Sequence, residues 1–104
     1  MKTLTKEEFE IYCLLFAADA DFDITRQDLI AVSAHVDPVT FIQVYNRFEL
    51  ENNGKRLEVI SEHKKLHVKD DKDRFFDGMK SRFFPNDTFS AIEKSVFKTL
   101  KNIL

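Results

Sequence analysis

Three times in this chain a hydroxyl residue is followed three positions later by an acid and then by an apolar run. The three sites are Thr5-x-x-Glu8, Thr25-x-x-Asp28 and Ser90-x-x-Glu93. In such a capping box the hydroxyl accepts the free N–H of the third helical residue, while the acid reaches back to the N–H of the cap. Each box therefore marks the start of a helix. Only two Gly and two Pro occur in 104 residues, so little interrupts a helix once it has begun. No stretch alternates apolar and polar residues in the manner of a half-buried strand. The expected fold is all-α: one compact domain, residues 1–104, of five to seven helices.

Apolar spacing outlines the individual helices. Phe9, Tyr12, Cys13 and Phe16 fall at i, i+3, i+4 and i+7, and Ile11, Leu14 and Leu15 widen that stripe, so the first helix is expected at the centre. The second runs from Thr25 through Leu29, Val32 and Val36. Asp37-Pro38 opens a third, with Asp37 as cap and Pro38 at the first helical position, carrying Phe41, Val44, Tyr45 and Phe48. Asn52-Asn53-Gly54 is expected to stop it. From Lys55 to Val68 the stripe is thin and polar (Val59, Ile60, His63, Leu66, His67). The string Lys69-Asp70-Asp71-Lys72-Asp73 marks a break and an acidic helix start. Phe76, Met79 and Phe83 follow with Phe75 beside them, Gly78 suggests a close helix crossing, and Pro85 ends the segment. Ile92, Val96, Leu100 and Ile103 line the last helix. The expected core holds Phe9, Tyr12, Phe16, Leu29, Val32, Phe41, Tyr45, Phe48, Phe76, Met79, Val96 and Leu100.

Several function classes find no support. The formal net charge is −2, so no overall field attracts nucleic acid or an anionic membrane. Lys94, Lys98 and Lys101 form a basic stripe without interleaved aromatics, as on a solvated helix face. The longest apolar run, Ile11 to Ala18, is far too short to span a bilayer. The amino terminus is polar and acidic, unlike a secretory signal, and the single cysteine, Cys13, has no internal partner. A cytoplasmic location is expected. Gly54-Lys55-Arg56 lacks the rest of a phosphate loop and no nucleophile elbow occurs, so no enzymatic activity is expected. His63 and His67 share a helix face at zinc-ligand spacing, but no third ligand stands at a telling distance; a surface or half-buried pair is expected. His35 is expected to meet the last carbonyls of its helix.

The candidate binding residues lie where the first helix breaks. Asp19-x-Asp21-x-Asp23 matches the first three carboxylates of a calcium loop. Ile24 then replaces the turn glycine and Ile30 the bidentate glutamate, so a regular high-affinity loop is excluded. Two readings remain: a loose metal site of Asp19, Asp21, Asp23 and Asp28 for Ca²⁺ or Mg²⁺, with affinity on the order of 10⁻⁴–10⁻³ M, or acids that cap a helix and stay solvated. The same order returns at Asn86-Asp87-Thr88-Phe89-Ser90, with too little charge for a divalent ion.

The segment Ala18-x-x-Asp21-Phe22-Asp23-Ile24-Thr25-x-x-Asp28 resembles the acidic corner of the tellurite-resistance TerB-like domains, with Phe22 where glycine is usual and Asp28 where glutamate is usual. The resemblance implies a small cytoplasmic all-helical fold carrying two such corners, a divalent-cation site, and a stress-linked scaffold role without catalysis. Two functions follow. One is a TerB-like interaction module whose corner holds a cation. The other is a ligand-free helical adaptor, or a self-associating domain, with Phe75, Phe83 and Phe84 partly forming a protein interface.

Overall fold

The computed structural model describes residues 3–20, 24–34, 36–85 and 90–104. Among them are six helices and no strand: α1 (Lys6–Ala20), α2 (Arg26–Val32), α3 (Pro38–Leu50), α4 (Asn53–His67), α5 (Lys72–Phe83) and α6 (Ser90–Ile103). None is long and apolar enough to cross a membrane.

Helix α1 is the axis of the fold. Every residue from Phe9 to Leu15 is buried, as in a helix that is apolar on all sides and therefore covered on all sides. Helices α3, α4 and α6 pack directly against it. Phe9, Tyr12, Leu29, Val32, Phe48, Met79, Val96 and Leu100 are core residues as expected, whereas Phe16, Phe41, Tyr45 and Phe76 are partly buried at its edge. The α5 stripe differs at one position: Met79 and Phe83 face inward as expected, Phe75 joins them in place of Phe76, and Phe76 packs edge-on against Phe97 of α6.

The helix starts follow local chemistry. Thr5 and Glu8 exchange both bonds of their box, at 2.8 and 3.2 Å. Thr25 and Asp28 do the same at 2.9 and 3.1 Å. Asp37 caps α3 with Pro38 at its first position, and Asp71 caps α5 through the Arg74 N–H. Ser90 is already the first helical residue of α6; its cap position, 89, lies outside the described residues.

Two helix ends differ from expectation. Helix α2 stops at Val32 instead of running through Val36. The chain turns after Val32, and Val36 beyond the turn is buried. Gly54 does not end α3; it lies in the first turn of α4, which Asn52 caps. At the far end of α4, Lys69 takes the left-handed conformation (φ 55°) and its N–H returns to the Lys64 carbonyl, the place glycine usually fills.

Gly78 faces Glu10 of α1, yet a Cβ built there would stand 3.8 Å from Glu10 Oε2, an ordinary contact. No close approach demands the glycine. Gly78→Ala should therefore raise stability by about 0.5–1 kcal/mol through helix propensity, read as a higher denaturation midpoint.

Candidate functional site

The acidic corner is partly committed to structure. Asp19 Oδ2 lies 3.3 Å from Arg56 Nη1, and Asp28 closes the capping box of α2. Asp21 and Asp23 lie outside the described residues, as do Asn86 to Phe89 of the second corner and His35. Among the described residues no group of three or more His, Cys, Asp or Glu side chains is close enough to hold a metal ion.

Arg56 organises this end of the molecule. Its Nε and Nη2 both donate to the Phe48 carbonyl, at 3.0 and 2.9 Å. Its guanidinium sits 3.7 Å from the centre of the Phe48 ring. The arginine thus adds two donors to a carbonyl at the end of α3 that the Glu51 N–H also reaches, at 3.2 Å, while its third nitrogen reaches Asp19 at the end of α1. Nearby, the buried Tyr12 hydroxyl donates to Glu51 at 2.8 Å. Burial and that carboxylate push the phenol's pKa well up.

The histidines form a backbone clasp. The Leu4 N–H donates to His63 Nε2 at 3.0 Å, and His63 Nδ1 lies 2.8 Å from the Val59 carbonyl. With Nε2 accepting, the ring proton belongs on Nδ1. His67 Nε2 lies 2.9 Å from the Leu4 carbonyl and donates to it. Both rings pack on Phe9 with centroids 5.7 Å away. The i, i+4 spacing therefore grips both polar groups of one residue 59 and 63 positions away. Leu66, expected on the same face, is exposed instead.

Next to Phe9 in sequence, Glu10 is buried at 1% exposure and faces α5. Its carboxylate accepts from Arg82 Nε at 3.3 and 3.4 Å, and Arg82 also reaches Glu7 at 3.5 Å. Desolvation outweighs the guanidinium and raises the Glu10 pKa above 4.5. The folded state therefore holds the Glu10 proton more tightly than the unfolded chain does. Its contribution to stability is full below pH 4.5 and is lost as pH rises through the folded pKa. Glu10→Gln should be more stable than the parent at neutral pH, and the advantage should shrink on acidification towards pH 4.5. Denaturation across that pH range reads both effects. Cys13 is fully buried in the same helix, and burial pushes its thiol pKa well up, as for a small core hydrophobe.

Phe75, Phe83 and Phe84 do not form an interface; all three are buried, because α5 turns this face inward and Phe84 packs edge-on against Phe97. Among the described residues the exposed large apolar ones are Ile30, Val39, Ile42, Leu50, Leu57 and Leu66, of which Ile30 and Ile42 share one groove. A groove of about 440 Å³ runs between α2 and α3, lined by Ile30, Ala34, Val36, Phe41, Ile42 and Tyr45. Ile30 and Ile42 on its rim are 62% and 56% exposed. Arg26 stands at one end with its guanidinium 5.7 Å from the Tyr45 ring centre. Ser33, only 7% exposed, lines it where α2 ends. Sequence reasoning missed this groove, and had weighed Ile30 only as a failed calcium ligand. Lys94, Lys98 and Lys101 are exposed, as a solvated stripe should be.

No family model matches this chain, and neither a curated protein nor a solved structure matches it significantly.

Proposed function

We propose that this chain is a small protein-interaction or scaffold module of the TerB-like kind that engages its partner through the α2–α3 groove. The observation that carries the reading is the rim of that groove: aliphatic side chains held in water on two packed helices. Concentrated exposed apolar surface of this sort marks interaction sites. The acidic corner gives the resemblance, and with it a cytoplasmic, stress-linked setting; the buried thiol fits a reducing compartment.

A weak Ca²⁺ or Mg²⁺ site at the corner depends on Asp21 and Asp23, since Asp19 and Asp28 have protein partners already. Saturable shifts confined to residues 19–28 in a cation titration would support it. The groove has the stronger geometric support.

Because Ile30 and Ile42 are mostly exposed, changing either to Gln should alter stability by no more than about 0.5 kcal/mol. A larger loss would make them structural and sink the reading. The functional test is a photo-crosslinking residue at position 42, compared in cells with one at the exposed Lys65. Discrete protein adducts at 42 and none at 65 are expected. No adduct at 42, or the same adducts at both positions, overturns the reading.

A further inference from the structure

We propose that the groove receives an amphipathic helix of a partner protein, bearing an acidic residue where it passes Arg26. The proposal rests on the interaction reading above and adds the partner's chemistry. A helix is favoured over a small molecule by the openness of the site. Small-ligand pockets bury most of their occupant between walls, whereas Ile30 and Ile42 stand largely in solvent on the rim. From Pro38 to Tyr45 the α3 wall covers two helical turns, roughly 10 Å at 1.5 Å per residue. That length accepts apolar anchors at i, i+3 or i+4, and i+7 of a docked helix.

Charge selects the partner further. The chain as a whole is acidic, yet among the described residues lining the groove Arg26 alone is charged. No carboxylate of the described residues pairs with Arg26, whose one contact of note is the face of Tyr45. Over the Tyr45 ring the guanidinium has no hydrogen-bond acceptor among the described residues, an arrangement suited to a carboxylate. At the other end the Ser33 hydroxyl is buried without a hydrogen-bond partner among the described residues. A buried hydroxyl is normally satisfied, and a polar group on the incoming helix would satisfy it. A second copy of this chain fits less well: the most amphipathic of its own helices, α6, already turns Val96 and Leu100 into the core.

The probe is a short synthetic amphipathic helix with leucines at i, i+3, i+4 and i+7 and a glutamate at each end, so that either orientation offers an acid to Arg26. Its counterpart carries lysine at both ends. Methyl resonances of Ile30 and Ile42 report occupancy. The glutamate peptide should bind at least about tenfold more tightly than the lysine peptide. Arg26→Glu should reverse that order and Arg26→Gln should level it. Arg26→Glu should fold, because an acid in the first turn of α2 suits the helix dipole.

Equal affinities, shifts centred outside the groove or no binding of either peptide overturn the proposal. A dimer by sedimentation, with groove shifts before any peptide is added, assigns the groove to a second copy and overturns it too. If position 42 crosslinks a protein in cells but the charge exchange changes nothing, this inference fails while the interaction reading stands.

Discussion

Arg56→Ala should destabilise the domain by about 2–4 kcal/mol. Three contributions vanish together. Both guanidinium donors to the Phe48 carbonyl go, leaving it only the Glu51 N–H. Hydrogen bonds from a charged donor contribute about 1.5–3 kcal/mol. The stacked guanidinium adds about 0.5–2 kcal/mol. The pair with Asp19 adds little, because that carboxylate is 61% exposed. Arg56→Lys should recover less than half of the loss, since an ammonium neither forks onto one carbonyl nor stacks as a plane. Denaturant unfolding of the three proteins measures both differences. Full recovery by lysine would mean that charge alone holds this corner.

His63→Ala should cost about 2–4 kcal/mol. It removes a buried ring packed on Phe9 and strands the N–H of Leu4, a residue 5% exposed. An unsatisfied buried donor costs about 1–3 kcal/mol, and the lost packing adds a cavity. His63→Gln should recover part of it, because its amide can still accept from Leu4. The corresponding His67→Ala should cost less, since that ring is only half-buried. Hydrogen exchange at the Leu4 amide separates the clasp from general destabilisation: it should accelerate most in His63→Ala, beyond any change at Val59 or Phe75. Uniform acceleration would show that the rings act as filling alone.

How much of this could be read from residues alone depends on how far each interaction reaches. The caps at Thr5, Thr25 and Asp37 were legible because donor and acceptor lie three positions apart. The fold class followed from them and from the scarcity of breakers. The α5 face was not, since Phe75 and Phe76 are adjacent aromatics and only the position of α6 decides which turns inward. The clasp was invisible because what His63 and His67 hold is backbone, which has no side-chain signature. Arg56 was weighed only as part of an incomplete phosphate loop, while its real partner is a carbonyl on the preceding helix. The groove was hidden for a third reason. Ile30 and Ile42 fall off the stripes that mark the core, and spacing along one helix does not show whether a neighbour covers such residues or leaves them in a shared groove.

The burial of α1 on every side has a consequence for how the molecule is made. During synthesis α1 leaves the ribosome before any helix that covers it, and α6, one of its direct neighbours, leaves last. At 5–20 residues per second that interval is roughly 5–20 s. For that time the segment from Phe9 to Ala18 is a sticky ribbon without a lid, and the nascent chain depends on α3 and α4 as interim cover or on a chaperone's grip.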